Sequence, residues 1–396
     1  MVPSLQLGGA EHVGVYLSCR FSSTTAVSLC AVYGGPLKQR LLDHHISFRL
    51  LASEPHVWRR ALLGVPGLRS AWHRLSDGLV SGRHEEGGIV LAPTWRYAAV
   101  PEVHRRFRQL LNAHRYDVIH LHSLYCASLI PLARAHATAI VFGHHNILSE
   151  RHTETDVTYL SSNLRYVDAV VCATQVSCDD FTATTGFPAA RTRVIANPSC
   201  LTRAGCRRLR HPLRFGAISN LGPAKGIDVL LNAWSILYRN DIRLDLTIAG
   251  GDSAIVHCWR ARARTLNLHQ HTTFVGSLKS VTAVDEFYDT IDVVLIPSRT
   301  EGFSIVAVEA MSKGIPVIAS DIPALREVLG DAALFFNNGD AEALADRIAD
   351  FHNAPVLARH SGQSGNARSQ QLFDPSGIER QYRRLYVGTS RVSVPS

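Results

Sequence analysis

Along the chain, short runs of apolar and β-branched residues alternate with longer stretches that read as helices. The runs are AVSLCAV at 26–32, YDVIHLH at 116–122, ATAIVFG at 137–143, YVDAVVCAT at 166–174 and TRVIANP at 192–198. Strands covered by helices on both faces lose the alternation of a half-exposed strand and become near-continuous apolar runs, so this repetition predicts a buried parallel sheet. The rhythm stops in an arginine-rich segment and resumes with RFGAIS at 214–219, LDLTIAG at 244–250, TTFVG at 272–276, DVVLIPS at 292–298 and GIPVIAS at 314–320. The predicted fold class is α/β, with two doubly wound, Rossmann-like domains facing across a cleft. The first domain takes residues 1–205 and the second 206–375. Residues 376–396, which include GIERQYRRLYVG, form a C-terminal helix that packs back or crosses to the first domain. In such folds ligands gather beyond the carboxyl ends of the strands, which makes the cleft the expected site.

Composition narrows the class. At roughly 150 residues per domain, 396 residues suit two to three domains with cores of their own and exclude a disulfide-stapled miniprotein. With 46% hydrophobic and 19% charged residues, the chain is too apolar to be disordered. No uninterrupted apolar run reaches the ~18 residues of a spanning helix, and MVPSLQLGGAEH lacks the basic start and apolar core of a signal peptide, so the expected compartment is the cytoplasm. The eight cysteines are scattered; the closest pairs, Cys172/Cys178 and Cys200/Cys206, are too widely spaced for zinc knuckles and read as buried or idle thiols. The net charge of +8 is uneven: residues 1–214 hold 24 Lys/Arg against 14 Asp/Glu, and residues 215–396 hold 17 against 19. Seven arginines between Arg191 and Arg214 supply most of the excess, which suits an anionic partner but not a broad nucleic-acid-binding face.

The densest chemistry lies in PSRTEGFSIVAVEAMSKGIPVIASD, Pro297 to Asp321. Glu301 and Glu309 flank a strand-to-helix turn eased by Gly302, so two carboxylates can face one ligand. The amides of Phe303, Ser304 and Ile305 at the helix start can hold a phosphate, and Glu309 can accept two ribose hydroxyls. Lys225, in PAKG, follows a short strand and a Gly-Pro turn from which its amine can reach a diphosphate, with Gly226 letting the next helix begin close by. Of the 20 histidines, 15 precede residue 215. His120 and His122 alternate on one strand end, and His144 and His145 finish another. Alternating and adjacent histidines can point apart and no local acid completes a cluster, so no metal is expected.

This segment resembles the signature of two glutamates separated by seven intervening residues in the family 4 glycosyltransferases, retaining enzymes of GT-B fold, here of the bacterial polysaccharide or lipopolysaccharide type. LGPAKGIDVLLNAW (221–234), LTIAG, FVG and SDIPALREVLGDAALFFNNGDAEALADRI (320–348) extend the resemblance, in order, over nearly the whole second domain. It implies that Glu301 contacts the donor sugar, Glu309 the nucleotide ribose and Lys225 the diphosphate. Where the family has Gly-Arg-Leu, this chain has Ser219, Asn220 and Leu221, so Asn220 stands in place of a phosphate-clamping arginine and Arg299 is a candidate substitute. In the first domain, Gly8 and Gly9 resemble the glycine-rich loop near donor phosphate and acceptor. Glu11 falls in the following helix's first turn, His145 matches the histidine that approaches the transferred sugar, and His122 lies on the acceptor side. Asp168 then reads as a strand-entry residue, and Asn197 as the asparagine that fixes the domain junction.

The implied reaction is transfer of a hexosyl group from a nucleoside diphosphate sugar to an acceptor hydroxyl with retention, without a metal cofactor and without nucleic acid. PEVHRRFRQLLNAHR (101–115) carries Val103, Phe107, Leu110 and Leu111 on one face with Arg105, Arg106 and Arg108 around it, and WRRALL (58–63) adds a second basic and apolar patch. Two readings stand: contact with anionic lipid, which favours a lipid-linked oligosaccharide or polysaccharide precursor as acceptor at the inner face of the membrane, or helices that simply cover the sheet. A small soluble acceptor is an alternative. A degenerate, inactive assembly protein is another, motivated by Asn220 and by the front of the chain: family members open with a buried strand, whereas only Met1 and Val2 precede Pro3, so the first strand of domain 1 is expected to be truncated.

Overall fold

The computed structural model describes residues 9–21, 27, 29–31, 38–43, 45–46, 48–50, 101–113, 115–199, 201 and 209–390. The expectations placed on Met1 and Val2, on Gly8, on WRRALL and on the boundary at residue 205 fall outside the described residues.

The second domain is a six-stranded sheet in which every neighbouring pair is parallel, in the order β9-β8-β7-β10-β11-β12. These strands are β7 (Phe215–Ser219), β8 (Leu246–Gly250), β9 (Thr272–Gly276), β10 (Val293–Ile296), β11 (Val317–Ser320) and β12 (Ala333–Phe336). The chain winds outward from β7 through β8 to β9, then returns to the other side of β7 as β10. Connections leaving β7 and β10 therefore diverge, and a crevice opens beyond their carboxyl ends. Both faces of the sheet are covered. The helix Ile227–Arg239 buries Ile227, Leu230, Leu231, Trp234 and Leu237, one stripe at helical spacing, and the Trp234 indole N–H donates to the Leu244 carbonyl at 3.0 Å.

In the first domain, β3 (Tyr116–His122), β4 (Ala137–His144), β5 (Ala169–Cys172) and β6 (Thr192–Val194) form a parallel sheet in chain order, and β1 (Leu29–Ala31) pairs in parallel with β2 (Phe48–Leu50). The helix Pro101–Asn112 resolves the first of the two basic patches. Val103, Phe107 and Leu111 are buried with Leu121, Ile140 and Phe142, while Arg105 and Arg108 are exposed. Its apolar stripe covers the core and is not offered to a bilayer.

The two domains touch where their sheets point at each other. Thr174 Oγ1 donates to the Gly302 carbonyl at 2.7 Å, and the Glu327 carboxylate accepts the amides of Gln175 and Val176 at 2.6 and 3.0 Å. Those amides open the helix Gln175–Thr185, where an incoming negative charge is favoured. The last helix, Pro375–Ser390, lies on the first domain. Ile378 and Tyr382 are buried against Val13, Leu17, Val141 and Ile195, and Glu379 pairs with Arg20 at 2.8 Å.

Candidate active site

The crevice at the carboxyl ends of β7 and β10 gathers the chemistry of the second domain. After β7 the chain turns sharply: Ser219 Oγ accepts the Leu221 amide at 3.0 Å and Asn220 Oδ1 accepts the Gly222 amide at 3.1 Å. Asn220 thus shapes the turn through its side-chain carbonyl. The short 3-10 turn Pro223–Lys225 follows, and Gly226 has φ +63°. A Cβ at Gly226 would land on the carbonyl oxygen of Pro297, so only glycine lets this turn close onto the end of β10.

That approach brings Lys225 Nζ to 2.6 Å from Glu301 Oε1, and Ser298 Oγ donates to the same oxygen at 2.7 Å. Both side chains are largely buried, so each orients the other in a place where an unpaired charge would be costly. Arg299 is committed elsewhere. Its two terminal nitrogens bind the Asp228 carboxylate at 2.8 and 2.6 Å, one of them also reaching the Pro223 carbonyl at 3.0 Å. It staples the two loops together.

The helix after this turn begins at Ile305, with Ser304 as its cap at φ 90° and its hydroxyl accepting the Ala307 amide at 3.4 Å. A serine held at positive φ is a strained residue, and here it stands at the mouth of the crevice. By helix geometry the amides of Ile305 and Val306 have no intrahelical acceptor. Phe303 contributes its ring to the core, 5.9 Å from that of Phe373.

Glu309 is one turn further in and only 4% exposed. Its Oε2 accepts the Tyr288 hydroxyl at 2.9 Å. Burial pushes its carboxyl up to about 7, with Asp285 adding to the rise and the Tyr288 hydrogen bond and Lys313 opposing it. Glu301 is thus held by Lys225 at the turn and Glu309 by Tyr288.

Across the crevice, His145 follows β4. Its carbonyl oxygen and the Asn146 Cα would stand 2.5 and 2.8 Å from a Cβ at Gly302, so the Glu301–Gly302 turn is pressed against the His145 backbone. His145 Nε2 meets His122 Nδ1 at 3.2 Å. His144 instead points into the core, its ring 5.0 Å from Phe181. Gly9 is the first residue of the helix Gly9–Phe21, and Glu11 falls in that helix's first turn. Asp168 pairs with Arg134 at 2.5 Å and accepts the Ile140 amide at 2.7 Å, a structural tie at the start of β5. Asn197 is buried, and its Oδ1 has no hydrogen-bond partner among the described residues.

Residues 31–203 match the family described as Glycosyltransferase Family 4, and residues 211–368 match Glycosyl transferases group 1. The chain belongs to the GT-B glycosyltransferases. This glycosyltransferase is 27% identical over 210 residues to the O-antigen biosynthesis glycosyltransferase WclY of Escherichia coli, a match covering 50% of this chain and 56% of the relative. The chain thus spans little more than half the length of that relative. A phosphatidyl-myo-inositol mannosyltransferase of Mycobacterium leprae is 28% identical over 306 residues, covering 72% of this chain and 77% of the other. In fold, the enzyme resembles Anabaena Alr3699/HepE in complex with UDP and glucose, with a TM-score of 0.75 and 19% identity over 98% of this chain and 99% of that one.

Among the described residues of this glycosyltransferase, no group of three or more His, Cys, Asp or Glu side chains is arranged to hold a metal ion, and no helix is long and apolar enough to cross a membrane. Four features of the site escaped the sequence. Ser298, Tyr288 and Thr174 have no distinctive local pattern, and the Glu327 contact spans 151 positions.

Proposed function

We propose that this enzyme transfers a hexosyl group, with retention, from a nucleoside diphosphate sugar to a lipid-linked oligosaccharide or polysaccharide precursor. The Lys225–Glu301 pair carries this reading. It lies at the topological switch point, beside the amides of Ile305 and Val306 and opposite His145. When a diphosphate arrives, Lys225 turns from the carboxylate to the phosphate oxygens, and Glu301 is released to orient the sugar hydroxyls. The open helix terminus and the ammonium neutralise charge that grows on the leaving diphosphate. Glu309, with Tyr288 holding one oxygen, has Oε1 for the ribose. The acceptor class is supported by relatives named for O-antigen biosynthesis and for mannosylation of phosphatidyl-myo-inositol.

The test is mass spectrometry of products after incubation with UDP-glucose, UDP-N-acetylglucosamine, GDP-mannose or ADP-glucose and a bacterial lipid extract. A lipid-borne product heavier by one sugar supports the reading. Transfer only to a small soluble acceptor contradicts the acceptor class, and donor binding without transfer or hydrolysis contradicts the activity.

Two expectations follow from the site. A neutral carboxyl is a poorer acceptor for ribose hydroxyls, and Glu309 ionises near pH 7 in the free protein. Donor affinity is therefore expected to weaken about tenfold between pH 8 and pH 6. Titration calorimetry of the donor at both values checks this, and the dependence should flatten in Glu309→Gln. Because the apolar stripe of the helix Pro101–Asn112 is in the core, binding to anionic vesicles must rest on Arg105, Arg108 and their basic neighbours. It should be lost when salt rises from about 0.1 to 0.5 M, where screening shortens to a few ångströms. Co-sedimentation that persists at high salt would point to an apolar anchor instead.

A further inference from the structure

Behind His145 lies a column of rings that ends on the C-terminal helix. His145 Nε2 stands 3.2 Å from His122 Nδ1, with ring centroids 5.4 Å apart and planes at 20°. His122 also packs on His120, at 3.9 Å between centroids and 31°. His120 Nδ1 in turn shares a hydrogen bond of 2.8 Å with the hydroxyl of Tyr386, 266 positions later in the chain, and its ring lies 6.0 Å from that of Tyr382. Gly143 makes the assembly possible. A Cβ there would stand 3.0 Å from His120 Nε2, 3.0 Å from His122 Nδ1 and 3.1 Å from His145 Nε2, so three ring nitrogens converge where any other residue would place a carbon.

Burial holds all three imidazoles well below their ordinary ionisation range, with His145 at about 4, so each is neutral and carries one N–H. At the His122–His145 contact one nitrogen carries the hydrogen and the other accepts it. His145 Nδ1 is buried with no hydrogen-bond partner among the described residues. A buried N–H without an acceptor is rarer and more costly than a bare acceptor nitrogen, which places the hydrogen on Nε2, donated to His122, and leaves the Nδ1 lone pair unused.

We propose that Tyr386, His120 and His122 are positioning residues for His145, fixing it as the Nε2–H tautomer, so that the C-terminal helix takes part in sugar transfer by holding the ring that faces the sugar. The inference rests on the reading that His145 stands at the transferred sugar. Tyr386 fixes the rotation of His120, His120 covers His122, and His122 selects the tautomer of His145. His145 then keeps one ring orientation and one tautomer through the catalytic cycle.

The test uses the whole chain and the nucleotide sugar turned over fastest in the panel above. Tyr386→Phe keeps the ring and removes the hydroxyl; His120→Asn is the second variant. Each is expected to lower kcat about three- to tenfold with donor KM within about twofold and an unchanged melting temperature, the pattern of lost orientation in the transition state. Nitrogen-15 correlation spectra of the imidazoles, with His145 assigned by its absence in His145→Gln, should show Nε2–H in the wild type and a tautomer mixture in Tyr386→Phe. Wild-type kcat and an unchanged His145 tautomer in both variants overturn the positioning role, as does an Nδ1–H tautomer in the wild type. A His145→Gln variant with wild-type kcat overturns the role of His145 itself, and the proposal with it. An impaired His145→Gln beside an unimpaired Tyr386→Phe overturns only the positioning.

Discussion

Lys225→Ala is expected to lower the transfer rate by about 10²- to 10³-fold, the scale on which loss of one preorganised electrostatic contact to a developing anion is felt. Two effects add. The ammonium proposed to meet the diphosphate disappears, and Glu301, held by Lys225 at 2.6 Å, is left among the described residues with the Ser298 hydroxyl in a partly buried place. A carboxylate without its lysine partner there repels an incoming diphosphate. The double variant Lys225→Ala, Glu301→Gln separates the two effects. If repulsion matters, donor affinity recovers in the double variant while kcat stays low, because the cation is still missing. Steady-state kinetics with the donor varied gives both numbers.

Gly302→Ala is the second large effect. A Cβ at this residue would stand 2.5 Å from the His145 carbonyl oxygen and 2.8 Å from the Asn146 Cα, both backbone atoms that cannot swing aside. Relief requires the domains to part at this point, which stretches the Thr174–Gly302 hydrogen bond and the Glu327 contacts with Gln175 and Val176. A displacement of an ångström between His145 and Glu301 is expected to cost about 10²-fold in kcat. Donor binding should change little, because Lys225, Glu309 and the helix terminus all belong to the second domain. Calorimetric affinity beside single-turnover rates checks the split. An equal loss in both would mean that the donor pocket itself, and not the domain contact, is disturbed.

Much of this architecture was legible in the sequence because parallel strands covered on both faces must be apolar throughout. The runs at 214–219, 244–250, 272–276, 292–298 and 314–320 all became strands of one sheet. Its edge strand, β12, is only half-buried for most of its length, and its ALFF sequence did not stand out as a run. Lys225 and Glu301 were legible because glycine, proline and charge mark the two turns that carry them. What those residues touch was not: the Lys225–Glu301 bond joins positions 76 apart, and the Tyr288–Glu309 bond joins two helices. Sequence pattern gives a side chain's type and the face it occupies, whereas its partner depends on the packing of distant elements. The helix Pro101–Asn112 shows this most plainly. An amphipathic stripe reads the same whether it lies on a sheet or on a membrane, and only the burial of Val103, Phe107 and Leu111 decides between them. Asn220 shows a converse limit: judged as a replacement for an arginine it looked like a defect, yet its carbonyl has a task in the turn that an arginine side chain cannot perform.

The central claim is that the crevice at the ends of β7 and β10 is the nucleotide-sugar site. Titration calorimetry of UDP-, GDP- and ADP-sugars against the wild type, Lys225→Ala and Glu309→Ala tests it directly. One donor class should bind the wild type best, and each substitution should weaken it by about 10- to 100-fold, as expected for a lost charge-assisted contact. Wild-type affinity retained in both folded variants would place the donor elsewhere and contradict the account.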